Sequence, residues 1–136
     1  MNIGIIAHNS KKSLMEDFCI AYKGILMKHE LYATGTTGRR IEEVTNLRIH
    51  KFLAGSLGGD KQFTEMIERN DMDLVIIFYN PVNVNKREPD VSKISLYCDQ
   101  YNIPIATNIA TAEMLILGLD RGDLDWRKQS PESADA

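Results

Sequence analysis

The segment Asp73–Tyr79 (DLVIIFY) constrains this chain more than any other, because its apolar side chains fall on both faces of an extended strand. A strand that meets water on one face alternates apolar with polar. One that does not must be covered on both sides, as in a parallel sheet between two layers of helices. The rest of the chain supplies such layers. Apolar runs of strand length at Asn2–Ala7, Glu30–Thr34, Arg48–Leu53 and Ile103–Ala106 are separated by stretches with helical spacing. Ser13–Lys28 carries Leu14, Phe18, Ala21 and Ile25 at steps of four, three and four. Asp60–Arg69 sets Phe63, Met66 and Ile67 on one face, and Asp90–Tyr101 does the same with Val91, Ile94, Cys98 and Tyr101. Arg40–Val44 and Thr111–Leu119 complete the series. This alternation predicts a doubly wound α/β fold: a mainly parallel sheet of about five strands, helices on both faces, right-handed crossovers. Residues 1–128 are read as that single domain, and the polar segment 129–136 as a loose tail.

Composition narrows the function classes. With 136 residues, 43% of them hydrophobic, the chain has material for one sizeable core. Its 16 Lys+Arg against 19 Asp+Glu give a formal charge of −3, a poor balance for wrapping nucleic acid, so no nucleic-acid partner is expected. No apolar run approaches the ~20 residues of a membrane span, and the N-terminus lacks the order of a secretion signal. The expectation is a soluble, cytoplasmic protein without a membrane partner. Cys19 and Cys98 stand far apart with no paired spacing, and no His/Cys/Asp cluster has ligand spacing, so neither a disulfide framework nor a metal site is expected.

In doubly wound sheets ligands bind beyond the carboxyl ends of the strands, so the segments that follow the strands carry the chemistry. They are His8-Asn9-Ser10-Lys11-Lys12, Gly35-Thr36-Thr37-Gly38, Ala54 to Asp60, Asn80 to Asp90, and Thr107-Asn108. Gly35-Thr36-Thr37-Gly38 offers backbone N–H donors and two hydroxyls ahead of a helix, a combination that suits an anion. It equally fits a turn whose threonines cap that helix. Lys12 adds a cation on the neighbouring segment. The chain has neither a GxxxxGK[ST] loop nor a GxGxxG turn, so nucleotide binding of those two kinds is disfavoured. Asp60, behind three glycines, reads either as a helix N-cap or as a general base whose basicity a poorly solvated pocket raises. Asp90, after Pro89, carries the same two readings. His8 ends a strand where an imidazole can hydrogen-bond a carbonyl or hydroxyl oxygen. Arg87 is a permanent cation able to clamp a phosphate or an enediolate, or else a surface arginine. Trp126 is read as the anchor of a tail or of a subunit contact.

Taken in order, Ile6-Ala7-His8, Leu31-Tyr32-Ala33-Thr34-Gly35-Thr36-Thr37-Gly38, Gly58-Gly59-Asp60, Glu88-Pro89-Asp90-Val91 and Ile103-Pro104-Ile105-Ala106-Thr107-Asn108 resemble the methylglyoxal synthase family. The resemblance runs from Asn2 to about Trp126. It implies a homohexameric lyase that eliminates phosphate from dihydroxyacetone phosphate, giving methylglyoxal without metal or cofactor. By the same resemblance Asp60 is the catalytic base and Asp90 an active-site carboxylate. Lys12, Thr34, Gly35, Thr36, Thr37 and Gly55 hold the phosphate, which is also a product, and His8 contacts the substrate.

The chain departs from the family pattern at four positions in this region. Arg87 stands where members carry a histidine, Asn9 and Asn80 where an aspartate is usual, and Ala54 where a serine helps line the site. An arginine stabilises an anion but does not give and retake a proton near neutral pH. The expected function is therefore the lyase, with Arg87 and His8 stabilising an enediolate. The alternative is a non-catalytic phosphate-ligand sensing module, a use to which the similar regulatory domain of carbamoyl phosphate synthetase puts the same scaffold.

Overall fold

In the computed structural model, which describes residues 1–82 and 89–129, five parallel strands form one sheet in the order β3-β2-β1-β4-β5. The strands are β1 (Asn2–Ala7), β2 (Glu30–Thr34), β3 (Ile49–Phe52), β4 (Leu74–Phe78) and β5 (Ile105–Ala106). The helices are α1 (Lys12–Ala21), α2 (Lys23–Leu26), α3 (Gly35–Thr45), α4 (Gly59–Glu68), α5 (Val91–Gln100) and α6 (Ile109–Asp120). Short 3-10 turns occupy Asn9–Lys11, Gly55–Leu57 and Asp125–Gln129. All five residues of β4 are buried, as its continuous apolar character requires.

Two apolar clusters sandwich the sheet. On one face Ile3, Ile5, Ile76 and Phe78 pack with Met15 and Phe18 of α1, Ile41 of α3, and Ala112 and Ile116 of α6. On the other, Ile6, Val75 and Ile77 pack with Phe63, Met66 and Ile67 of α4 and with Ile94 and Cys98 of α5. Helices thus cover both faces of an all-parallel sheet. Strand β1 pairs with both β2 and β4, so the winding reverses beside it. A doubly wound sheet opens its ligand crevice at that reversal.

Element ends follow local chemistry. Helices α3, α4 and α5 are each followed by an asparagine at positive φ: Asn46 at 59°, Asn70 at 56° and Asn102 at 53°. Asparagine tolerates this left-handed turn, which reverses the chain toward the next strand. The expected single helix over Ser13–Lys28 is split at Tyr22, which leaves helical angles (φ −108°, ψ 21°) beside the poor helix former Gly24. The expected short helix Arg40–Val44 begins five residues earlier, at Gly35. The Gly-Thr-Thr-Gly segment is therefore the first turn of a helix rather than a loop before one. Among the described residues no helix is long and apolar enough to cross a membrane.

Candidate active site

The carboxyl edge of the sheet gathers most of the residues singled out above. Lys12 opens α1 yet is only 9% exposed. Its ammonium donates to the Ala7 carbonyl and to Thr37 Oγ1, each at 2.8 Å. Burying a cation is costly unless its protons are satisfied, so these partners fix where the charge points. Thr37 lies in the first turn of α3, following directly on Thr34 at the end of β2. Thr34 occupies the cap position of α3, but its side chain takes no N–H of that turn. The Gly35 N–H goes to the Leu53 carbonyl at 3.3 Å, so Thr36 and Thr37 present the N–H groups that Thr34 leaves uncapped, beside a held ammonium, an arrangement complementary to an anion. Thr34, Gly35 and Thr37 are buried, whereas Thr36 is exposed.

The segment after β3 brings Asp60 to the same edge. Ala54 accepts N–H bonds from Leu57 (2.9 Å) and Gly59 (3.1 Å) through its carbonyl. Gly58, at φ 104°, then turns the chain into α4. Gly58 thus takes the cap position, and Asp60 is carried inside the helix, where it caps nothing. Gly59 is required by space, since a Cβ there would run into the Leu53 carbonyl oxygen.

Asp60 Oδ1 is sealed from solvent without a hydrogen-bond partner. It lies 3.0 Å from where a side chain on Gly55 would begin. Burial pushes the Asp60 carboxyl above its ordinary range, and nearby His8 pulls it back in part. A carboxylate of this kind is a better base than one in water and has a free lone pair to use.

Asp90 differs. It is the N-cap of α5, its Oδ1 accepting from Ser92 N–H at 3.0 Å and Lys93 N–H at 3.3 Å, and it is exposed. For this residue the capping reading is realised. Even so, Asp60 and Asp90 line one cleft of about 520 Å³ between α4 and α5. His8, buried at the end of β1, donates from Nε2 to the Pro89 carbonyl at 3.1 Å, which ties the sheet edge to the start of α5. Asn80 Oδ1 accepts from Val82 N–H at 3.0 Å and shapes the turn after β4. Arg87 lies outside the described residues. Among the described residues no group of three or more His, Cys, Asp or Glu could hold a metal ion.

Comparisons with known proteins point to one family. The family profile described as MGS-like domain matches residues 15–107. A methylglyoxal synthase of Caldicellulosiruptor saccharolyticus is 58% identical over 128 residues, 94% of this chain and 91% of that protein. One from Geobacillus sp. (strain WCH70) is 54% identical over 127 residues, 93% of this chain and 91% of that one. The crystal structure of methylglyoxal synthase from Elizabethkingia anophelis NUHP1 superposes with a TM-score of 0.80 at 36% identity, covering 85% of this chain and 76% of that one. The chain belongs to the methylglyoxal synthase family.

Within this family member two features at the edge were not singled out from the sequence. Tyr79, the residue after β4, stands edge-on to the His8 ring with centroids 6.0 Å apart. Its signal was positional, because it follows the strand that flanks β1. The other is the Leu53 peptide, whose carbonyl accepts the Gly35 N–H at 3.3 Å. A backbone group carries no residue-type signal, so only the fold reveals it.

Proposed function

We propose that this chain is a methylglyoxal synthase, a carbon–oxygen lyase that eliminates phosphate from dihydroxyacetone phosphate. The observation that carries the reading is Asp60: a half-buried carboxylate with one unpartnered oxygen, on the same sheet edge as the Lys12–Thr37 pair and the open N-terminus of α3. A site that only bound an anion would gain nothing from a second negative charge there. No observation favours the non-catalytic sensing alternative.

Lys12 and the hydroxyl and N–H groups of Thr36 and Thr37 hold the phosphate, with Thr34, Gly35 and Gly55 shaping the cradle. Asp60 then removes a proton from the hydroxymethyl carbon beside the carbonyl. The C–H electrons form a carbon–carbon double bond, and the carbonyl oxygen becomes an enediolate oxygen. As the enediolate collapses, the hydroxyl on the deprotonated carbon gives up its proton and becomes the aldehyde, and the double bond shifts to the other carbon. That carbon's bond to the ester oxygen breaks, with the departing phosphate taking up the proton held by Asp60. The enolate that remains takes a proton on carbon to give methylglyoxal. His8 and Arg87 offset the charge that develops on the oxygen, and Asp90 flanks the reacting atoms. A rigid hold on the phosphate aligns the breaking bond with the enediolate orbitals, which elimination requires. Arg87, standing where the family carries a histidine, supplies charge but exchanges no proton.

The protein works in the cytoplasm as a homo-oligomer, a hexamer by resemblance to the family. Exposed Leu57, Leu96 and Met114 supply apolar surface for such contacts. The test is methylglyoxal production from dihydroxyacetone phosphate, with Asp60→Asn run alongside. Product from wild type that vanishes in the variant is expected. A folded wild type that binds the substrate and returns it unchanged would overturn the reading.

A further inference from the structure

The first turn of α4 holds Asp60 without apolar help. Before Phe63 the helix offers only Gly59, Asp60, Lys61 and Gln62 to pin it to the sheet, so hydrogen bonds fix where that turn sits. They converge on two residues after β3. Ala54 takes the Gly59 N–H through its carbonyl. The Leu53 N–H donates to Gln62 Oε1 at 2.8 Å. A backbone donor can only meet the oxygen of that amide, so the partner settles the side chain's orientation.

Leu53 is more than a nearby strand end. Its carbonyl accepts the Gly35 N–H at 3.3 Å and bounds the space that Gly59 must leave empty. The backbone of this one residue therefore touches both the turn that holds the phosphate and the turn that carries the base. The Leu53 side chain is 53% exposed, so burial does not anchor that backbone. Gln62 ties it from the α4 side, reaching back over the helix N-terminus as long helical side chains do.

We infer that Gln62 is a positioning residue: by accepting the Leu53 N–H it sets the Asp60 carboxylate in register with the phosphate cradle of α3. The inference rests on the lyase reading for its kinetic consequence but not for its geometric one. Gln62 touches no reacting atom. Its loss lets the first turn of α4 shift against Leu53, which hydrates Asp60 and moves it off the line of proton transfer.

The test compares Gln62→Met, which keeps length and loses the acceptor, with Gln62→Glu, which keeps an oxygen there. In Gln62→Met, kcat falls about tenfold while KM for dihydroxyacetone phosphate stays within about twofold, as expected for a displaced reacting group with an intact phosphate hold. The Asp60 carboxyl, followed by carbon-13 NMR against pH, titrates lower than in wild type. Gln62→Glu keeps kcat within about threefold of wild type. An unmoved Asp60 titration in Gln62→Met, or a Gln62→Glu variant as slow as Gln62→Met, overturns the assignment. A wild type without lyase activity would instead overturn the proposed function, and the titration would still decide the role of Gln62.

Discussion

Lys12 and Thr37 meet in a 2.8 Å hydrogen bond across the carboxyl edge of the sheet, one at the start of α1 and the other in the first turn of α3. The bond joins the neighbouring strands β1 and β2 through the groups that follow them. Lys12→Met removes the charge yet fills the same space. We expect kcat/KM to fall about 100-fold or more, the scale for losing one preorganised donor to an anion. Thr37→Val, which keeps the ammonium, should cost about tenfold. Steady-state kinetics check both, and competition by inorganic phosphate should weaken in parallel. The fold should survive Lys12→Met with stability changed by no more than about 1–2 kcal/mol, because a desolvated cation leaves together with its hydrogen bonds.

Asp60 links activity to pH. Burial raises its carboxyl above the ordinary value of 3.8, so the folded state holds its proton more tightly than the unfolded state. Between 3.8 and the raised value the native state binds more protons, and stability falls as pH rises through that window. Above it the penalty of the ionised form is complete. Asp60→Asn should therefore be more stable than wild type at pH 7 and no more stable below the ordinary value, as urea unfolding at the two pH values would reveal. The same variant should lose at least about 1,000-fold in kcat with the proton acceptor gone. In wild type the acid limb of kcat/KM should sit above the usual carboxylate range.

How Asp60 and Asp90 parted shows what was legible. Both stand at helix starts behind a turn-forming residue, and the sequence alone offers each the same two readings, a cap or a working carboxylate. Gly58 decided between them by adopting φ 104° and taking the cap position itself, so Asp60 moved into the helix while Asp90 remained at a cap. Strand positions were legible because apolar runs such as Leu74–Phe78 have one packing solution. The start of α3 was not, since Gly-Thr-Thr-Gly has poor helix propensity and only its place after β2 makes it a first turn. Gln62 and Leu53 were invisible for another reason: their contact is between a side chain and a backbone amide.

Gly58 and Gly59 separate strain from space. Gly58 has the unusual backbone angle, but nothing lies within 4 Å of a Cβ placed there. Gly58→Ala should cost about 1–2 kcal/mol from the left-handed conformation alone. Gly59 has ordinary helical angles, yet its Cβ would strike the Leu53 carbonyl, and a backbone oxygen cannot swing aside. Gly59→Ala should cost about 1–3 kcal/mol as overpacking. It should also lower kcat further than Gly58→Ala does, because the chain yields at Leu53 and carries Asp60 with it. Comparable kcat in the two variants, measured on folded protein, would remove Leu53 as the point of contact between the two turns.

Arg127 gives the counterpart at the opposite edge. Trp126 reads from the sequence as the anchor of a tail or of a subunit contact; within the single chain it is 52% exposed, and its neighbour Arg127 is 9% exposed. The guanidinium donates to Asp73 Oδ1 (3.2 Å), to the carbonyls of Tyr101 (3.1 Å), Asn102 (2.8 Å) and Met72 (3.3 Å), and to Asn70 Oδ1 (2.8 Å). Asp73 Oδ2 in turn accepts the Asn2 N–H at 2.8 Å. One side chain so joins the segments that enter β4 and β5, and through Asp73 the start of β1. Arg127→Met leaves several buried acceptors and a partly buried carboxylate unmet, and should lower unfolding free energy by about 3 kcal/mol. Trp126→Ala should cost less than about 1 kcal/mol. The active-site residues lie at the far ends of these strands, about 17 Å away along β4. Folded Arg127→Met should therefore keep wild-type kcat while its denaturation midpoint falls. A greater loss of stability in Trp126→Ala than in Arg127→Met would return the anchoring role to the tryptophan.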